Sequence, residues 1–122
     1  AEAMVKKAAA FMEANGKEKA FAAFNDKQGQ FVKDDLYIFA IDVNGKVFAH
    51  GGNPTLVGKD MSGAKDADGK FFIKEIINAA KTKGTGWIDY KWANPKTQKI
   101  DPKSTYYMKA GDVILGCGIY KQ

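Results

Sequence analysis

Residues 36–41 read Leu36-Tyr37-Ile38-Phe39-Ala40-Ile41, followed by Asp42-Val43-Asn44-Gly45-Lys46 and then Val47-Phe48-Ala49-His50. The first six residues are apolar or aromatic without interruption. That pattern fits a strand covered on both faces, because a strand with one wet face would alternate. Asn44-Gly45 is a strong short-range hairpin signal, since a tight hairpin turn needs positive φ at its centre. Val47 to His50 is then the return strand, and Gly51-Gly52-Asn53-Pro54 breaks it.

Outward from this hairpin the periodicity changes twice. Residues 53–69 form a long loop with Leu56, Val57 and Met61 as apolar anchors. A helix is expected over 70–83, with Phe72, Ile76, Ile77 and Ala80 as its buried face and Gly84 and Gly86 ending it. Trp87-Ile88-Asp89-Tyr90-Lys91-Trp92 alternates as a strand, with Ile88, Tyr90 and Trp92 on one face. After a turn-rich loop at Asn94 to Lys99, Ser104 to Lys109 and Val113 to Tyr120 read as strands around a tight Ala110-Gly111-Asp112 turn. Upstream, Met4, Val5, Ala8, Phe11 and Met12 fall at helical spacing, and Asn15-Gly16 stops that helix. Lys17 to Phe24 is a second short helix, and Asn25 to Asp35 is irregular. The order α-α-β-β-loop-α-β-β-β predicts an α+β fold with a five-stranded antiparallel sheet. The expected organisation is one domain over 1–122, with helices in 1–27 and the sheet in 36–120.

Composition narrows the function classes. The chain has 122 residues, 45% hydrophobic and 27% charged, which suits a single folded core and excludes disorder. All 19 cationic residues are Lys, and the net charge is +5. The absence of Arg argues against sequence-specific nucleic-acid recognition, which favours the guanidinium fork, so no nucleic-acid partner is expected. One cysteine, Cys117, excludes an internal disulfide and a cysteine zinc site, and one histidine, His50, excludes a multi-histidine metal centre. No apolar run approaches the roughly 20 residues that span a bilayer, so no membrane insertion is expected within this chain. Ala1-Glu2-Ala3 suits a mature end left after signal removal, or a trimmed one. No cofactor or catalytic residue is expected: Ser62 and Ser104 carry no nucleophile motif, and no metal cluster or phosphate loop is present.

Four constellations bear on chemistry. Asp66, Asp68, Gly69 and Glu75 match positions three, five, six and twelve of a calcium loop, but position one is Ala64, which has no ligating side chain. The alternative is that Asp68 caps the following helix and Asp66 favours its N-terminus. His50 ends a strand beside two glycines and is either structural or a hydrogen-bond donor to a ligand. Trp87, Tyr90, Trp92, Tyr106 and Tyr107 make residues 86–107 the densest in aromatics, which suits either a sheet core or a small-ligand pocket. Lys103 follows Asp101-Pro102 and precedes Tyr106. A lysine beside aromatic hydroxyls would attract a carboxylate, whereas most of the other lysines are solvated surface.

Taken in order, Asp35-Leu36-Tyr37-Ile38-Phe39, Asn44-Gly45, Ala49-His50, Asn53-Pro54, Leu56-Val57-Gly58-Lys59 and Asp68-Gly69-Lys70 form an ordered set. It continues through Gly86-Trp87-Ile88-Asp89-Tyr90-Lys91-Trp92, Asn94-Pro95, Pro102-Lys103-Ser104-Thr105-Tyr106 and Gly118-Ile119-Tyr120. This set resembles the single Cache domain, the extracytoplasmic sensor module of bacterial chemoreceptors and histidine kinases. The resemblance implies a PAS-like fold with a long N-terminal helix on one face of the sheet. It also implies loops and a short helix over a ligand pocket on the other face. The implied activity is non-enzymatic: periplasmic binding of a small carboxylate of the acetate, propionate, pyruvate or lactate class, in signal transduction or chemotaxis. Tyr90, Trp92, Lys103 and Tyr106 are the implied pocket residues, with Phe39 and His50 as additions. Lys103 and Tyr106 differ in strand parity, so both reach one pocket only if Lys103 sits at the strand mouth. The implied partners are a small organic anion and either a membrane receptor or a second copy of the chain. The alternatives are an amine or purine ligand, or an interaction protein with a vestigial pocket.

Overall fold

The computed structural model describes residues 2–26, 28–33, 36–66, 68–94 and 97–120. Ala1, Asp35, Ala67, Pro95 and Lys96, which enter the sequence motifs, lie outside the described residues. Two helices lead: α1 (Glu2–Asn15) and α2 (Lys17–Asn25). Gly16 joins them at φ 87, a left-handed conformation, and its N–H closes α1 on the Met12 carbonyl at 2.8 Å. A short ladder follows, β1 (Val32–Lys33) against β2 (Leu36–Tyr37). Then come β3 (Phe39–Asp42), β4 (Val47–His50), a single 3-10 turn, α3 (Phe72–Lys83), β5 (Thr85–Ala93), β6 (Ile100–Ala110) and β7 (Val113–Tyr120).

The last five strands form one antiparallel sheet in the order β4-β3-β7-β6-β5. The hairpin and the three-strand meander are each local in sequence, and β7 closes the sheet by inserting beside β3. The apolar run at 36–41 supplies both faces, as its composition requires. Ile38 and Ala40 join a core under α1 and α2 with Val5, Ala8, Phe24 and Leu115. Phe39 and Ile41 join a second core under α3 with Ile73, Ile76, Ile77 and Tyr107. Burying a residue of this size stabilises by about 1.5–3 kcal/mol, so neither face can be wetted cheaply.

Several boundaries differ from the sequence reading. The run at 36–41 is interrupted at Ile38, whose N–H donates to Phe31 and whose carbonyl accepts from Gly51. β6 begins at Ile100 and carries Pro102 within it. On its β5 side Pro102 pairs with Lys91, and among the described residues the β7 pairing of β6 runs from Lys103 to Ala110. The helix begins at Phe72 rather than residue 70, with Phe71 before it and no side-chain cap. Asp68 therefore does not cap α3. Asp66 instead ties the loop together: its carboxylate accepts the N–H groups of Asp68 and Lys70 at 2.9 Å each, and that of Lys91 on β5 at 3.0 Å. Three backbone donors on one carboxylate is the work of a loop staple, and among the described residues no cluster of His, Cys, Asp and Glu could hold a metal ion.

Candidate ligand-binding site

Between the sheet and α3 lies a small cavity of about 20 Å³, partly open to solvent. Strand alternation builds its floor. Tyr37, Phe39 and Ile41 come from successive same-face positions of β2 and β3, Tyr90 and Trp92 from β5, and Lys103 from β6. Phe72 and Ile73 of α3 and Leu56 and Met61 of the 53–69 loop cover it. Phe72 stacks on Tyr90 with centroids 4.5 Å apart and lies against Trp92 at 5.1 Å, so the first turn of α3 and β5 are one packed unit.

Val47 and His50 both line this cavity although they sit three residues apart on one strand. A β-bulge explains it. Ala40 pairs with Ala49 but Ile41 pairs with Val47, so Phe48 is an extra residue on β4. Phe48 and Ala49 both turn toward the other core, where Phe48 stacks on Phe21 at 5.1 Å. The parity change restores His50 to the cavity side.

Lys103 is 1% exposed and, among the described residues, the one buried lysine. Its ammonium donates to the Tyr37 hydroxyl at 2.8 Å. It also lies 4.3 Å from the centre of the Tyr37 ring, 5.0 Å from that of Tyr120 and 5.9 Å from that of Tyr90. An aromatic cage stabilises a cation through the ring quadrupoles, about 0.5–2 kcal/mol per contact. Apart from Lys103 and His50, the described lining is apolar or aromatic. Burial pushes the Tyr37 hydroxyl well above its usual pKa, with Tyr120 and Tyr90 adding to the rise. It pushes Tyr90 up too, against the pull of a 2.8 Å hydrogen bond with Thr105. Both phenols stay protonated at neutral pH and can donate.

The His50 ring lies tilted against Tyr37, with centroids 4.8 Å apart, and stacks with Phe39 at 6.1 Å. Burial, and after it the nearby Lys103 charge, lower its pKa to about 3 against a backbone hydrogen bond that raises it. Its Nδ1 accepts the Asn53 N–H at 2.8 Å, so the neutral ring carries its proton on Nε2 and is a donor there. The unfolded chain takes up a proton on this ring below about pH 6.5, while the folded chain resists until about 3. Stability from this group is therefore complete above pH 6.5 and declines as the pH falls toward 3. From pH 7 to pH 4.5 its share of the decline is about 2–3 kcal/mol, read as the difference between the native protein and His50→Gln in how far the urea-unfolding free energy falls over that range. An identical pH slope in the two proteins would contradict it.

The structure thus brings Phe39, His50, Tyr90, Trp92 and Lys103 to one cavity and leaves Tyr106 out. Tyr106 belongs to the α1 face, edge-on to Trp87 at 5.3 Å, and its partner across the sheet is Cys117. Strand parity decides this: Lys103 lies inside β6 rather than at its mouth, so 103, 105 and 107 face α3 while 104 and 106 face α1. Tyr106→Phe is expected to leave ligand affinity within about twofold of the native protein by calorimetry, where a pocket hydroxyl would cost about tenfold. Sequence reasoning did not select Tyr37, Ile73 or Met61. Tyr37 was legible as an i, i+2 neighbour of Phe39. Met61 depends on how the long loop folds back.

Two glycines of β7 make room for the site. A Cβ at Gly118 would stand 2.2 Å from Cε of Lys103 and 2.6 Å from Oγ1 of Thr105. A Cβ at Gly116 would stand 2.3 Å from Cζ of Phe39. The Lys103 stem and the Phe39 ring lie directly on the β7 backbone, which only glycine permits.

A family model, single Cache domain 2, matches residues 3–122. The methyl-accepting chemotaxis protein McpP of Pseudomonas putida is 30% identical over 88 residues, which are 70% of this chain and 16% of that protein. The sensor histidine kinase MctS of Rhizobium johnstonii is 31% identical over 88 residues, 70% of this chain and 19% of that protein. The chain therefore spans less than a fifth of the length of these relatives. Among solved structures, a methyl-accepting chemotaxis protein from Vibrio parahaemolyticus superposes with a TM-score of 0.84 at 26% identity, covering 98% of this chain and 84% of that one. A Cache chemosensory domain, solved as the structural basis for carboxylic acid recognition, superposes at 0.78 with 24% identity over 98% of this chain and 85% of its own. Among the described residues no helix is long and apolar enough to cross a membrane. With the sheet order, the cavity under α3 and the family match over nearly its full length, this chain belongs to the single Cache domain 2 family of sensor domains.

Proposed function

We propose that this sensor domain binds a small carboxylate in the cavity under α3. The observation that carries the reading is the ammonium of Lys103, held at 1% exposure in the cavity wall beside a protonated phenol and a neutral imidazole. An anion needs both charge and several donors once it leaves water, because unmade hydrogen bonds to a desolvated oxygen cost more than the ion pair returns. Lys103 supplies the charge, and Tyr37 and His50 supply donors. Phe39, Tyr90 and Trp92 wall the site. The enclosed space is small, about 20 Å³, which favours acids of a few carbons over a purine, and the cation disfavours an amine. The relative solved for carboxylic acid recognition supports the same ligand class. The role we assign is extracytoplasmic sensing on behalf of a chemotaxis receptor or histidine kinase. A membrane receptor or a second copy of the chain would carry the signal onward.

Thermal-shift screening of carboxylates against amines tests the ligand class. At a hundredfold excess over its dissociation constant a ligand adds about 2.7 kcal/mol, which for this size raises Tm by about 10 °C. Stabilisation by acetate, propionate, pyruvate or lactate is the expected result; stabilisation by amines alone would overturn it. Tyr37→Phe is expected to weaken carboxylate binding by about tenfold in calorimetry, the worth of one neutral hydrogen bond in a dry site.

A further inference from the structure

The cavity is polar at one end and aliphatic at the other. Phe39 pairs with His50 across the β3–β4 ladder, and the Lys103 ammonium reaches the Tyr37 hydroxyl, next but one before Phe39. These groups mark the polar end. Two residues on, Ile41 pairs with Val47, and both are buried aliphatics in the lining. Past Val47 the long loop folds back along the free edge of β4. The Val47 N–H donates to the Lys59 carbonyl at 2.9 Å, Lys46 bridges Asp60, and the Met61 N–H donates to the Gly45 carbonyl at 2.9 Å. Met61 is thereby held beside the turn joining β3 to β4, at the end remote from His50, with its side chain in the cavity lining.

We propose that Met61 sets the longest aliphatic tail this cavity accepts. The inference rests on the carboxylate reading above: with the acid group held at Lys103, the remaining length of the ligand runs past Phe39 toward Ile41, Val47 and Met61. The Met61 backbone is pinned by strand-like pairing, so shortening the side chain leaves space rather than drawing the loop inward. An unbranched thioether is also the kind of side chain that fills an irregular gap and tolerates replacement.

The test is calorimetric titration of the native protein and of Met61→Ala with the straight-chain series from acetate to hexanoate. In the native protein each methylene that finds apolar cover is expected to tighten binding about fourfold, until the tail meets Met61 and affinity falls. Removal of Cγ, Sδ and Cε in Met61→Ala is expected to move the optimum about two carbons longer, while Met61→Phe moves it shorter. Val57→Ala, on the same loop but 40% exposed and outside the lining, is expected to leave the optimum in place. Binding by the native protein with the same optimum in all three variants overturns the role of Met61 and leaves the carboxylate reading standing. Failure of the native protein to bind any acid of the series, or pyruvate or lactate titrated beside it, overturns the carboxylate reading, and the inference with it.

Discussion

Lys103→Met is expected to reduce carboxylate affinity by on the order of 100-fold, measured by calorimetry, while the protein still unfolds in one cooperative thermal transition. The size of the effect follows from burial. At 1% exposure the ammonium acts in a low dielectric, where hydrogen bonds to a charged group are worth about 1.5–3 kcal/mol each. Methionine keeps an unbranched stem of similar length over Gly118 and removes only the charge and its donors. Replacing a buried charge by an apolar side chain of similar volume is generally tolerated by a fold, so loss of binding and loss of folding can be told apart. Lys103→Ala would confound them, since it also empties the space the stem fills. Native-like affinity in Lys103→Met would end the proposal that this ammonium holds the anion.

Gly118→Ala is the second large effect, and it deletes none of the proposed binding groups. One added methyl would stand 2.2 Å from Cε of Lys103 and 2.6 Å from Oγ1 of Thr105. The stem of Lys103 must leave its bed on β7, and the Thr105–Tyr90 hydrogen bond must shift with it. Overpacking of this kind costs about 1–3 kcal/mol, and displacement of the ammonium is expected to remove most of the carboxylate affinity. Urea unfolding reads the first effect and calorimetry the second. Gly63→Ala is the control, because a Cβ there meets nothing within 4 Å. Unchanged binding in Gly118→Ala would show that the ligand does not depend on the position of Lys103.

Both predictions turn on a relation that no local pattern shows. Lys103 and Gly118 lie on the two arms of one hairpin, and they meet because Lys103 pairs with Tyr120 and Thr105 with Gly118 in the β6–β7 register. The expected residues sort by the same criterion. Tyr90 and Trp92 share a face by simple alternation, and the structure keeps them together. Phe39 follows from the two-faced run at 36–41. Tyr106 was associated with Lys103 by proximity in sequence and the resemblance, and a parity difference of one sends it to the opposite core. His50 reaches the cavity through the Phe48 bulge, which the apolar spacing of β4 does not announce. Asp68 looked like a helix cap, but α3 starts later, and it is Asp66 that the loop uses, against the Lys91 N–H on β5.

The sequence by itself determined the α+β class, the hairpin at 36–50, the meander at the end, and that one run must feed two cores. These follow from interactions between near neighbours: side-chain alternation, helical spacing and the φ demands of Gly16 and Gly45. Only the tertiary structure decided that β7 inserts between β3 and β6, that a bulge turns His50 inward, and that Lys103 lies buried on a glycine floor. The reason is physical. Those outcomes depend on register and close approach between paired strands, where a shift of one residue exchanges the two faces of the sheet.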